Sequence, residues 1–502
     1  MMDDPVAPDA PSGRDDAGPG LDPARLQTCL DVIAELDTLP VDHPDQIAIQ
    51  RATARLFKTV KERRRAERRA AVQAADRAVL AATATAAPGR IDDETAGIPL
   101  VSQVAGSTAG TLIRPRPCYV CKQLYVDVDA FYHQLCPACA ARHHERRHVK
   151  VDLRGRRALL TGGRAKIGMY IALRLLRDGA HTTITTRFPQ DAARRFAAMD
   201  DSGDWLHRLR IVGLDLRDPA QVVALADSVA AAGPLDILIN NAAQTVRRSP
   251  DAYALLSAAE AAPLPEGARD VDVLVLGAVR AEHPASLPAG LPGETVGPPA
   301  AAAPVDVTGL ALTARSAGMG AGFTAGDGTA IDAGGLVPDE VHVNSWTQRV
   351  EEVDPVQLLE VQLCNQTAPF ILVSRLRASM AAAEARRTYV VNVSAMEGQF
   401  GRGYKGPGHP HTNMAKAALN MLTRTSAQEM LATDGILMTS VDTGWITDER
   451  PHTTKVRLAD EGFHAPLDLV DGAARVYDPI VRGEAGEDLH GVFLKDFEVC
   501  AW

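Results

Sequence analysis

Between Leu153 and Ile239 the chain alternates short aliphatic or β-branched runs with longer amphipathic ones. That rhythm constrains the fold more than any other feature. Arg157–Thr161 reads as an apolar strand ending in a glycine turn. Ile167–Leu176 reads as a helix, His181–Thr186 and Leu209–Leu214 as strands, Ala220–Ala232 as a helix and Leu235–Ile239 as a strand. Strands separated by helices pair in parallel, and the crossovers place helices on both sheet faces. The rhythm pauses after Val246. It resumes with a helical run over Val350–Met380, a strand over Thr388–Val393, a helix over Asn413–Leu431 and a strand over Ile436–Val441. The expected class is α/β, a doubly wound parallel sheet.

The chain has 502 residues, more than one such domain needs. Residues 1–21 are acidic and rich in Pro, Ala and Gly, and are expected to be a disordered tail. Residues 22–86 read as a helical arm, with a second helix starting near Asp42–Pro44 and running to Leu80. Within it, Lys61–Arg69 is either a solvated helix face or a phosphate- or partner-binding one. Residues 87–115 read as linker, 116–148 as a small cysteine unit, and 152–248 with 346–502 as the α/β domain. Residues 249–345 are Ala/Pro/Gly-rich, with one aliphatic island at Val271–Leu276, and are expected to be a largely disordered insertion with one marginal strand, the alternative being a functional lid. A net charge of −10 disfavours a globally basic nucleic-acid binder. There is no 18-residue apolar run and no secretory pattern at the N-terminus, and only seven cysteines, so a cytoplasmic protein is expected.

Four of those cysteines form two CxxC pairs, Cys118/Cys121 and Cys136/Cys139, with 14 residues between them. Two thiolates at that spacing bind one metal from a tight turn, and two such knuckles complete a tetrahedral shell. The pattern predicts a structural zinc site with no open catalytic position; the alternative is a redox pair, without thioredoxin-like surroundings. His133, His143, His144 and His148 are expected at the surface rather than as ligands.

Thr161-Gly162-Gly163-Arg164-Ala165-Lys166-Ile167-Gly168 lies between a strand and a helix, where backbone N–H groups and the helix dipole receive a pyrophosphate. Asp215-Leu216 follows the third strand, and Asn241-Ala242-Ala243 the fourth. Asn365 lies in the next helical run, Ser394 ends a strand, Lys416 lies at the start of a helix, and Thr443-Gly444-Trp445-Ile446-Thr447 follows the last strand. This ordered set resembles the short-chain dehydrogenase/reductase family over about residues 152–248 and 346–502. The resemblance implies a Rossmann-like fold carrying NAD(P)(H). It puts Asp215 near the adenine, Asn241 in support of the central strands and Thr443–Thr447 near the nicotinamide. It also implies a homo-oligomer and a small-molecule substrate.

Strand two ends in Thr186-Arg187 rather than in an acid, and Arg164 and Lys166 add two cations to the turn. A ribose 2′-phosphate wants such partners, so NADP(H) is favoured over NAD(H). The resemblance assigns catalysis to Asn365, Ser394, Lys416 and a tyrosine four residues before the lysine; here that position is Thr412. An aliphatic hydroxyl is a poor proton donor at neutral pH. Three readings follow. His411, or Tyr404 or His409 in the same loop, could supply the proton. The substrate could be an activated imine or alkene that needs little acid help. Or the protein binds NADP(H) without turnover, as a sensor or scaffold whose zinc unit binds a partner.

Overall fold

The computed structural model describes residues 20–87, 90, 100–248, 251–276, 334–337, 341–401, 403, 405–447 and 449–502. The chain divides into two compact units, residues 1–74 and 75–502. In the first unit, α1 (Pro23–Glu35) is capped by the Asp22 carboxylate, which accepts from the Arg25 N–H at 2.9 Å. The second helix, α2 (Pro44–Ala81), opens on a proline suited to its first turn. Neither helix has a buried residue. Lys61–Arg69 is exposed along its whole length, with an Arg63–Glu67 pair at 3.8 Å.

The second unit begins with a correction. Residues 108–115 are not linker: Thr108–Pro117 is β1, antiparallel to β2 (Leu124–Asp129). The Asp76 carboxylate accepts from the Ile113 N–H at 2.7 Å and from the Arg114 N–H at 3.3 Å, occupying donors on that strand. Composition hid the strand because its partner, not its own residues, makes it one. Helix α3 (Pro137–His148) follows.

The main sheet has nine strands among the described residues. In chain order they are β3 (Arg157–Leu160), β4 (His181–Thr186), β5 (Leu209–Gly213), β6 (Ile237–Asn240), β7 (Asp272–Val275), β8 (Thr388–Ser394), β9 (Ile436–Asp442), β10 (Phe493–Lys495) and β11 (Glu498–Cys500). The spatial order is β11-β10-β9-β8-β6-β3-β4-β5-β7. All neighbours are parallel except β10 and β11. Strand order reverses between β3 and β6, and the crevice at such a point receives ligands in folds of this kind.

Helices α4 (Lys166–Arg177), α5 (Pro189–Ala197) and α6 (Pro219–Ala231) make the crossovers of the first half. In the second half, α8 (Pro355–Gln362), a π-helical turn (Leu363–Thr367) and α9 (Ala368–Ala381) form one run, and α10 (Pro410–Asp434), α11 (His452–Asp460) and α12 (Leu469–Glu484) follow. Apolar cores line both faces. One gathers Leu160, Ile171, Ile184, Leu467 and Tyr477; the other gathers Leu159, Val222, Leu238, Leu372 and Met438.

The insertion also needs correction. Residues 251–276 are folded: α7 (Ala254–Ala261) packs on α5, and β7 pairs in parallel with β5, adding a strand at the sheet's edge. The aliphatic island is therefore a sheet member. The sequence marks it only as a marginal strand, because β5 supplies the other half of its hydrogen bonds. The part of the insertion over 277–333 and the tail over 1–19 lie outside the described residues.

Candidate active site and metal centre

The glycine turn sits at the C-terminal end of β3. A Cβ on Gly168 would run into the Gly162 carbonyl oxygen, and one on Gly163 would lie 2.6 Å from Ile184. The turn therefore admits no side chains at these positions, and its backbone is left to face a ligand. Lys166 stands where a glycine is usual, and its backbone keeps a glycine-like φ of +54°. Asn241 stitches the end of β6 to this turn: its Nδ2 donates to the Thr161 and Gly162 carbonyls, both at 3.1 Å. Thr161 Oγ1 accepts from the Asn241 and Ala242 N–H groups at 3.0 Å.

Above the turn lies a cavity of about 750 Å³. Gly162, Arg164, Ala165, Lys166, Ile167, Gly168 and Arg187 line one end, and Asp215, Leu216, Asn241, Ala242 and Ala243 lie along it. Ser394, Thr412, Lys416, Thr443, Gly444, Trp445 and Thr447 line the other end. Thr161, Gly163, Asn365 and His411 do not line it.

At the first end, the Arg187 guanidinium lies over the Phe188 and Tyr253 rings, at 5.8 and 5.2 Å, and reaches the Tyr253 hydroxyl at 3.2 Å. Arg164 is engaged by Asp191 at 2.6 Å and by the Gly334 carbonyl at 2.7 Å. Burial pushes the Asp215 carboxyl up, but the Arg217 guanidinium at 2.7 Å outweighs it and holds the group at about 2. Asp215 is thus an ionised carboxylate with a fixed partner. Arg217 also binds the buried Glu360 at 2.7 Å, and Glu360 accepts from Gln244 Nε2 at 2.8 Å. Asn365, in the π-helical turn, exchanges bonds with the Gln244 backbone at 2.6 and 3.0 Å. The Asn365 amide is therefore satisfied by the loop that follows β6.

At the second end, Ser394 Oγ donates to Asn420 Oδ1 at 2.6 Å. Lys416 Nζ donates to the Val393 carbonyl at 2.7 Å, and burial pushes its pKa down to about 8. Thr412 is buried, and its hydroxyl has no hydrogen-bond partner among the described residues. His411 is 1% exposed, and burial pushes its pKa down. It does not line the cavity, and neither ring nitrogen has a hydrogen-bond partner among the described residues. Tyr404 lies outside the described residues. Asp442, at the end of β9, is pushed up to about 6 by burial and accepts from the Gly444 N–H at 2.9 Å.

Tyr253, Arg217, Glu360 and Asn420 also belong to the site, and motif reading missed them. Asn420 stands one turn after Lys416 on the same helix, which a search at i+4 could have found. Tyr253 carries no such signal, because it comes from the insertion.

The four cysteines come together. Their sulfurs all lie within 4.8 Å of one another, none is in a disulfide, and the Cys136 N–H donates to Cys118 Sγ at 3.3 Å. Tetrahedral Zn–S bonds of about 2.3 Å put sulfurs about 3.8 Å apart, so four thiolates here fit a metal with small adjustment. Two of the nearby histidines correct the surface expectation. His133 and His143 are 3% and 1% exposed. His133 pairs with Thr85 at 2.8 Å, while His143 bonds the Cys139 carbonyl at 2.8 Å and Arg475 at 2.6 Å. Each is buried as a connector between segments distant in sequence. His144 is half-buried against Asp129 and His148 is exposed.

Residues 156–259 match the family model described as short chain dehydrogenase. An uncharacterized protein of Acanthamoeba polyphaga mimivirus is 29% identical over 382 residues, covering 73% of this chain and 71% of that one. A probable oxidoreductase of Streptomyces antibioticus is 41% identical over 95 residues, or 18% of this chain, and that match spans only 30% of the Streptomyces protein. Among solved structures, NADPH-bound carbonyl reductase from chicken fatty liver is 18% identical with a TM-score of 0.41, over 70% of this chain and all of that one. The residues that match the short chain dehydrogenase model include the glycine turn, which lies beside the strand-order reversal.

Proposed function

We propose that the protein is an NADP(H)-dependent oxidoreductase acting on a small carbonyl, imine or activated alkene. One observation carries this reading: the glycine turn, the Arg187 guanidinium and the Ser394–Lys416 pair all face one cavity of about 750 Å³. When bound, the nicotinamide cofactor supplies or accepts the hydride. Arg187, beside the stacked Phe188 and Tyr253 rings and with no carboxylate within salt-bridge distance among the described residues, is suited to a ribose 2′-phosphate. Arg164 is already held by Asp191, so it adds charge near that position rather than a free fork. Ser394 orients a polar group of the substrate, and Lys416 holds a proton at Nζ beside it. Thr412 supports the part of the reading in which the substrate needs little acid help, since its hydroxyl replaces a phenol. We take the four-cysteine centre as a structural zinc site. Assembly into a homo-oligomer and a cytoplasmic location belong to the same reading. Among the described residues no helix is long and apolar enough to cross a membrane.

NADPH oxidation against ketones, imines and quinones tests the activity. Turnover that disappears in Lys416→Ala and Ser394→Ala supports it. Equal or tighter binding of NADH than of NADPH would sink the cofactor assignment. Thr412 favours one other reading, an NADP(H)-binding sensor: tight NADPH binding with no turnover on any acceptor selects it.

A further inference from the structure

Two side chains lead from the cysteine knuckles to the loop at the nicotinamide end of the cavity. Tyr119 lies inside the first knuckle, between Cys118 and Cys121, and its hydroxyl accepts from the Trp445 N–H at 3.0 Å. His143 lies one turn after Cys139 of the second knuckle. Its Nδ1 faces the Cys139 carbonyl, which can only accept, and its Nε2 faces Arg475, which can only donate, so the ring is a neutral bridge protonated at Nδ1. Arg475 is 2% exposed and packs against the loop. A Cβ on Gly444 would lie 3.3 Å from its Nε. Arg475 also bonds Asp496 at 3.0 Å and lies over the Phe497 ring at 5.0 Å. Asp496 and Phe497 both have left-handed backbones, at φ +50° and +69°. A bulky buried residue in that conformation is strained, and strain of this kind persists where the surroundings hold it in place. Two knuckles and a strained hairpin thus converge on residues 444–445.

We propose that the four-cysteine centre is a positioning device for the Thr443–Thr447 loop, with Tyr119 as its positioning residue, so that metal occupancy and nicotinamide-cofactor binding are coupled. The inference rests on the cofactor and zinc readings above and adds what the metal does for the site. Both contacts start within a knuckle, and the knuckle's geometry is set by the metal. A loaded centre presents the Tyr119 hydroxyl and the Cys139 carbonyl in fixed places. An empty one releases both, and the Trp445 N–H loses its acceptor. Coupling of this kind is reciprocal: whatever factor the metal adds to cofactor affinity, the cofactor adds to metal affinity.

The test uses the full chain with its metal, Tyr119→Phe, and NADPH and EDTA as probes. Loss of one half-buried hydrogen bond should weaken NADPH binding by about five- to tenfold in Tyr119→Phe. Metal content by elemental analysis should stay at the wild-type value, and the NADPH/NADH preference should stay unchanged, because the 2′-phosphate lies at the other end of the cavity. Saturating NADPH should slow zinc loss to EDTA in the wild type, and this protection should shrink in Tyr119→Phe. NADPH affinity within twofold of wild type in the variant, or zinc loss indifferent to NADPH, overturns the coupling and leaves the cofactor reading intact. Failure of the wild type to bind NADPH overturns both, and a wild type without metal overturns the zinc reading and the coupling together.

Discussion

Lys416 shows how a single residue's burial decides its chemistry. Its ammonium has one protein acceptor among the described residues, the Val393 carbonyl, and burial lowers its pKa from 10.5 to about 8. Across that window the unfolded chain holds the proton and the folded chain does not. Folding stability from this group therefore rises with pH between about 8 and 10.5. Lys416→Met should flatten that rise in thermal denaturation measured from pH 7.5 to 10, while abolishing turnover. A variant whose melting temperature climbs with pH as steeply as the wild type would contradict the assignment. Asn365, Ser394 and Lys416 were singled out through the family resemblance; Ser394 and Lys416 line the cavity and Asn365 does not. The position of the His411 ring was not legible. It depends on which way the first turn of α10 faces, and that is settled by packing around it.

Among elements, the decisive junction is between α3 and α12. Arg146 and Arg147 of α3 clamp α12 and its N-cap, and Arg142 reaches β11. Arg147 lies 2.6 Å from Asp468 and 3.2 Å from Asp471, Arg146 is 2.7 Å from Asp478, and Arg142 pairs with Glu498. Asp468 and Asp471 also form the capping box of α12, so the clamp is built on a helix start. Removing one partner of a buried pair leaves uncompensated charge and costs about 3–5 kcal/mol. Arg147→Ala should destabilise the fold by roughly 3 kcal/mol in urea denaturation. A loss under roughly 1 kcal/mol, the level of an exposed pair, would show the clamp to be peripheral. The strand β7 carries the complementary lesson. Val271–Leu276 announces an apolar segment, but only the free edge of β5 makes it a strand.

For the second unit as a whole, one apolar core runs from the cysteine unit into the sheet. Cys118, Val128, Tyr132 and Leu135 belong to the same cluster as Leu160, Ile184 and Tyr477. The cysteine unit should therefore not melt separately. Extracting the metal with a chelator should lower the melting temperature of residues 75–502 in one transition by calorimetry; an early separate transition would contradict a shared core. By itself, the sequence determined the α/β class, the glycine turn and the two knuckles, because alternation, small residues and CxxC spacing act over a few residues. Only tertiary structure decided that residues 108–117 and 272–275 are strands, that His133 and His143 are buried, and that a cysteine knuckle touches the loop beside the cavity. Each of these depends on a partner far along the chain, and the hydrogen bonds and burial that such a partner provides leave no local trace.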